Sequence, residues 1–213
     1  MLMSLSCGDT SDEPLVLTTD ATRYFPVEEG RYWILFDASD QFLTLAFDRE
    51  VVLGGHTAEA LVFTMDYDTT SGDPIGPLFE LYLASEGEST RTYGWQDFRT
   101  GLAVSLLPGG IFASDAMPFQ SPVLTSTAAN GIAATYASTL ADEGVIQSYY
   151  GEFPDGIRLE TGLETGGESG GEPGLEGASA DVASIVWFLA AGVGPVKLDW
   201  QGVRYQLYDF GQR

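Results

Sequence analysis

Residues 31–47 read RYWILFDASDQFLTLAF, and this stretch decides the fold class. Tyr32-Ile34-Phe36 alternates with Trp33-Leu35, the run Asp37-Ala38-Ser39-Asp40 interrupts, and Phe42 to Phe47 takes the alternation up again. A period of two in β-branched and aromatic residues, broken by a short Asp/Ser cluster, reads as two strands joined by a tight turn. A helix would repeat its apolar residues at three and four. Large residues occupy both parities in Trp33-Ile34-Leu35-Phe36 and again in Phe79-Glu80-Leu81-Tyr82-Leu83. Such strands are buried on both faces or belong to a curved sheet that wraps something.

Working outward, similar short strands are expected at Ala60 to Met65, Leu78 to Leu83, Leu102 to Leu106, Ile132 to Leu140, Val145 to Tyr150, Ile185 to Leu189 and Val203 to Tyr208. Turn signals separate them at Gly54-Gly55, Ser71-Gly72-Asp73-Pro74, Pro108-Gly109-Gly110 and Pro154-Asp155-Gly156. The helix candidates are Ala128 to Thr139, whose Gly131 and β-branched residues favour strand, and the short Ala180 to Ser184. The expected architecture is all-β and mainly antiparallel, a single curved sheet or half-barrel with little helix. Residues 1–20 read as a tail and tether, and 21–213 as one β domain. A chain of 213 residues is long enough for such a domain to bury its own core.

Residues 164–179 form a degenerate four-residue repeat, with Glu164, Glu168, Glu172 and Glu176 among glycines. Glutamates four apart repel on a helix, and dense glycine disfavours both helix and strand, so 162–181 is expected as a flexible acidic loop. Neither it nor Asp66-Tyr67-Asp68 has the ligand spacing of a calcium loop: Thr70, Ser71 and Pro77 stand where an EF-hand needs its ligand, glycine and glutamate.

Composition removes most chemistries. The 31 acids against 9 bases give a formal charge of −22. A surface so acidic lacks the cationic footprint that nucleic acid or an anionic membrane face requires, and it is the kind of solvated surface that salt-adapted proteins carry. One cysteine, Cys7, allows no internal disulfide, and one histidine, His56, allows no multi-histidine metal centre. No metal ligands and no cofactor are expected.

Within the repeat, Gly167-Glu168-Ser169-Gly170-Gly171 satisfies a nucleophile-elbow string and lies one methylene from the Gly-Asp-Ser-Gly-Gly of trypsin-like proteases. An α/β-hydrolase needs a histidine after its serine, and His56 precedes Ser169. The protease reading lacks the cysteines and histidine context of that family. A Gly/Ser/Glu repeat produces this string by chance, and His56 reads as a turn residue before a strand. No catalytic residues are assigned. Tyr93, Trp95, Tyr149 and Tyr150 are candidates for stacking on sugars or other ligands, although aromatics in strands are more often core.

Met1 to Ser6 resembles the end of a hydrophobic leader running into Cys7 and the polar segment Gly8-Asp9-Thr10-Ser11-Asp12-Glu13-Pro14. This arrangement resembles a bacterial lipoprotein processing site, which implies lipidation of Cys7, although Ser4 stands where leucine is expected.

Two further motifs carry a wider resemblance. Tyr24-Phe25-Pro26-Val27-Glu28-Glu29-Gly30-Arg31-Tyr32-Trp33 is similar to a "YFPL-x-x-G-x-x-W" opening, and Trp187-Phe188-Leu189-Ala190-Ala191-Gly192-Val193-Gly194-Pro195-Val196-Lys197 to a "YAPGVGLVK" closing signature, with Ala191 where proline is usual. Both belong to a family of bacterial lipoproteins and secreted proteins of unassigned function. Read physically, Tyr24, Phe25 and Pro26 before Gly30 and Trp33 anchor the chain's entry into a core, and Gly192 and Gly194 give a bend that Pro195 stiffens, so these residues are expected to be framework. The resemblance implies no catalytic residues. It also implies a curved sheet, like the half-barrel of lipoprotein carriers, displayed on the cell envelope as an outer-membrane lipoprotein or on the periplasmic or extracellular face. The resulting expectation is a non-enzymatic envelope domain that binds a hydrophobic ligand or protein partner. The alternatives are an envelope hydrolase using paired carboxylates and a structural subunit of a surface complex. The first requires an apolar cavity inside the sheet, the second a cleft with two facing acids, the third an apolar patch outside.

Overall fold

The computed structural model of the chain describes residues 21–65, 76–115, 117–128, 130–166 and 181–213. After a single helical turn, Ala21–Tyr24, these residues form β1 (Arg31–Phe36), β2 (Phe42–Leu53), β3 (His56–Met65), β4 (Pro77–Glu86), β5 (Ser89–Asp97), β6 (Leu102–Ala113) and β7 (Phe119–Gln120). There follow β8 (Leu124–Thr127), β9 (Ala133–Ser148), β10 (Gly151–Gly166), β11 (Asp181–Ala190), β12 (Gly194–Trp200) and β13 (Val203–Gln212). All pair antiparallel in one sheet of order β6-β5-β4-β3-β2-β1-β13-β12-β11-β10-β9-β7, with β8 also on β9.

The fold is therefore all-β, a single curved sheet that curls without closing into a barrel. Its two ends meet through side chains instead of a backbone ladder. The hydroxyls of Tyr136 and Ser138 on β9 donate to the Ile111 carbonyl of β6 at 3.1 and 2.6 Å, and Ser126 of β8 donates to the Ser105 carbonyl at 2.5 Å.

The inward parity of each strand fills the concave side. Trp33, Phe47, Phe63, Phe112 and Trp187 are at most 1% exposed, and Phe25, delivered by the segment after the helical turn, sits among them. Its ring centroid lies 5.0 Å from Phe112, 5.4 Å from Trp187 and 5.8 Å from Trp33. Edge and tilted contacts of this kind add about 0.5–1.5 kcal/mol per pair to the burial itself.

Why Phe79 to Leu83 is apolar on both parities is now visible. Phe79, Leu81 and Leu83 face the main core, while Tyr82 joins Ala58, Ala60, Val62 and Tyr93 in a second cluster on the outer face. The lid of that cluster is a bulge in β6. Thr92 pairs with Gly110 and Gly94 with Ser105, so residues 106–109 loop out opposite Tyr93. Gly109 lies against the Tyr93 ring and Leu107 over Gly54. Glu80 is buried beside this cluster, with both carboxylate oxygens accepting from Arg49 at 2.8 Å and one from the Tyr82 hydroxyl at 3.0 Å.

Several boundaries differ from those expected. Pro108-Gly109-Gly110 and Pro154-Asp155-Gly156 are bulges inside β6 and β10, with Gly109 and Asp155 at φ +91° and +55°. A bulge needs the same residue types as a turn, and the sequence does not separate them. β5 and β10 emerge as full strands, and β9 runs unbroken through the gap between its two expected halves. Gly162 to Gly166 are strand because they pair with Ala133 to Ala137 on one side, and Gly162 to Thr165 pair with Asp181 to Ser184 on the other. The same pairing decides the short helix candidate ending at Ser184: from Asp181 onward that segment is β11. The rest of the acidic loop, with Ser169, lies outside the described residues, as do Cys7 and Asp66-Tyr67-Asp68.

Candidate functional site

The two motif regions, far apart in sequence, form one joint. The Trp33 indole nitrogen donates to the Val193 carbonyl at 2.6 Å, Arg31 donates to the carbonyls of Gly192 and Val193 at 3.1 and 3.4 Å, and Gly192 N–H donates to the Arg23 carbonyl at 2.7 Å. Gly194 has φ +98°, and a Cβ there would stand 2.7 Å from the Trp33 ring, so only glycine allows the β11–β12 turn to close on that indole. Pro195 is buried beside it, pairing with Leu189 at a register shift. At the other end of the opening motif, the Tyr24 hydroxyl donates to the Asp155 carbonyl at 2.9 Å, and Pro26 is half-buried. The carbonyl of Gly30, a residue at φ +78°, accepts from Arg213 N–H at 2.9 Å and ties the segment after β13 to the start of β1. These residues hold the entry, the exit and the floor of the sheet together, and no reacting group is among them.

A depression of about 530 Å³ opens at the end of the sheet where the β5–β6, β8–β9 and β12–β13 connections gather. Phe79 and Trp95 form its floor, and Leu102, Ile132 and Leu163 its aliphatic wall. Asp97, 8% exposed, accepts from Arg99 Nε at 3.0 Å, from Arg99 Nη2 at 2.6 Å and from Arg99 N–H at 2.9 Å. The guanidinium also lies 5.4 Å over the Trp200 ring, which fixes its plane. Among the described residues Asp97 is the only acid lining the depression, and its charge is met by Arg99. Paired-carboxylate hydrolysis needs a second, facing acid, and the described lining does not supply one.

On the outer face a different arrangement appears. β10 pairs with β11 only from Ile157 onward, so the end of the β9–β10 hairpin runs beyond the sheet as an arm. Its tip reaches β13 and β1: Tyr149 N–H donates to Gln206 at 3.1 Å, the Tyr149 ring lies 5.0 Å from Phe36, and Tyr150 lies 5.7 Å from Phe210. Phe36 also meets Phe42 and Tyr208, which pack on each other at 5.4 Å. This cluster is open to water, with Tyr149 70%, Tyr208 51% and Phe42 37% exposed.

The four aromatics singled out from the sequence therefore divide. Tyr93 and Trp95 are buried, the first under the β6 bulge and the second in the core, whereas Tyr149 and Tyr150 are exposed at the arm tip. Sequence reasoning misses Phe36, Phe42 and Tyr208 as a surface, although part of the signal is present in the large outward-parity residues Phe36 and Phe42 on either side of the β1–β2 turn; Tyr208 joins them from β13. His56 opens β3 after the Gly54-Gly55 turn, and its ring stacks on Tyr93 at 4.6 Å. The Tyr93 hydroxyl in turn donates to Glu86. Burial, followed by the Glu86 hydrogen bond, raises the Tyr93 phenol to about 12. Among the described residues no three His, Cys, Asp or Glu side chains gather as metal ligands.

Comparison with protein-family models, with curated proteins and with solved structures finds no match to this chain.

Proposed function

We propose that this chain is a non-enzymatic β domain of the bacterial cell envelope, anchored through lipidated Cys7, that binds a protein partner on its outer face. The exposed cluster of Phe36, Phe42, Tyr149 and Tyr208 carries this reading. Rings grouped on a surface keep the water-excluding area of a hot spot while remaining accessible, and aromatic residues are what interface cores are enriched in. A hydrophobic ligand inside the sheet is the less supported branch, because Phe25 and its ring partners occupy the space such a ligand would take. With a net charge of −22, and with Asp209 next to Tyr208 in the chain, the complementary face is basic.

Site-specific photo-crosslinking tests the partner. A photoreactive residue at position 149 or 208 should yield one discrete crosslinked species in intact cells, and one at the exposed position 57, near the start of β3, should not. Equal patterns at the three positions would remove the proposal. The anchor has its own test: the native protein's first residue should be a diacylglycerol-modified Cys7, and recovery of Met1 to Ser6 on the mature chain would overturn it.

A further inference from the structure

The depression at the open end is a second surface, separate from the aromatic cluster. We propose that it is a binding site for a neutral saccharide. Its volume of about 530 Å³ falls in the range of small-molecule sites. Its chemistry narrows the ligand by elimination. Asp97 and Arg99 cancel each other's charge through two side-chain hydrogen bonds, so among the described residues the pocket offers no unpaired carboxylate to a cation. An anion would find one guanidinium already engaged, inside the field of a chain carrying −22. A purely apolar ligand would strip water from Asp97, Arg99, Asn130 and Gln201 and return no hydrogen bonds, leaving each of these groups to bear its desolvation cost uncompensated.

What remains is an uncharged molecule with apolar faces and many hydroxyls. A sugar ring presents its C–H faces to walls such as Leu102, Ile132 and Leu163, while its hydroxyls both donate and accept. The rim answers in kind. The amides of Asn130 and Gln201 carry donors and acceptors, the Asp97 oxygens keep lone pairs beyond those that Arg99 uses, and the Arg99 fork carries more N–H groups than Asp97 takes up. Arg99, held between Asp97 and the Trp200 ring, is pre-oriented, so binding costs little further side-chain entropy there.

The test uses the whole chain, with maltotriose, cellotriose and chitotriose as probes and two-dimensional NMR as the readout. At least one should bind saturably and shift the Trp95 indole and Asn130 amide resonances. Gln201 is exposed in a turn, so Gln201→Ala should keep the native spectrum and weaken binding by about tenfold. Tyr149→Ser should leave the affinity unchanged, which separates this site from the partner surface. Saturable shifts that map to the Phe36 and Tyr149 cluster, or tighter binding of glucuronate or arginine than of the neutral sugars, would overturn the proposal. So would the absence of saturable binding by all three trisaccharides at millimolar concentration.

Discussion

Phe25 and Tyr149 are both aromatic, and each touches rings brought from distant strands, yet one is fully buried and the other 70% exposed. The inner cluster of Phe25, Trp33, Phe47, Phe112 and Trp187 fills the concave side, where inward residues of distant strands converge. The outer cluster of Phe36, Phe42, Tyr149 and Tyr208 forms on the convex side, with the arm tip as its one element from outside the β1–β2–β13 ladder. Trp33 and Phe36, three residues apart on the same strand, belong to different clusters because strand parity sends them to opposite faces. Aromatic content alone therefore says nothing about role. The difference lies in whether the rings' neighbours arrive from all sides or from one.

The largest break in that comparison should come from Phe25→Ala. Removing a ring at the centre of four others should cost about 3–5 kcal/mol, a large fraction of a typical folding free energy, read by urea unfolding at neutral pH. Next comes the buried charge on the outer face. Arg49→Met leaves Glu80 buried with the Tyr82 hydroxyl as its remaining described partner, and should cost about 2 kcal/mol given that Arg49 is half-exposed. Adding Glu80→Leu should recover most of that loss, since an apolar pair removes the stranded charge.

A smaller effect should appear in alkali. Burial, and after it Glu80, raises the Tyr82 phenol to about 12, opposed by Arg49, and Tyr93 is raised to a similar value. In the unfolded chain these phenols ionise near 10, so between about pH 10 and 12 the unfolded state loses protons that the folded state keeps. Stability contributed by the neutral phenols is complete below about pH 10 and falls as pH rises through that window. Tyr82→Phe with Tyr93→Phe should flatten the fall, measured as melting temperature against pH. The smallest effect belongs to the outer cluster: Tyr149→Ser and Tyr208→Ser should each change stability by less than about 1 kcal/mol, because most of each ring is already in water.

Much of the fold was legible in the sequence because parity is written locally. The β1–β2 hairpin needs nothing beyond residues 31–47, and the apolar residues on both parities of β4 correctly signal burial on both faces. Bulges were not legible, since Pro108-Gly109 and Pro154-Asp155-Gly156 carry the same punctuation that ends a strand. The contact between Trp33 and the Val193 turn was out of reach too: each motif suggested framework, but nothing in either specifies the other as its partner. The candidate surfaces were less legible still. Asp97 ends β5 while Arg99, Asn130 and Gln201 come from three connections with no shared spacing, and Tyr149 meets Phe36 from the tip of an arm whose pairing shifts register between Phe153 and Ile157.

Oxidative radical footprinting, read residue by residue, tests the filled interior of the sheet and the proposed partner surface on its outer face at once. In the purified chain, Phe42, Tyr149 and Tyr208 should label readily while Phe25, Trp33 and Trp187 stay protected. In intact envelopes the first three should become protected as well. Labelling of Trp33 and Trp187 at the rate of Tyr149 in the purified chain, or equal labelling of Tyr149 in envelope and solution, would contradict the account.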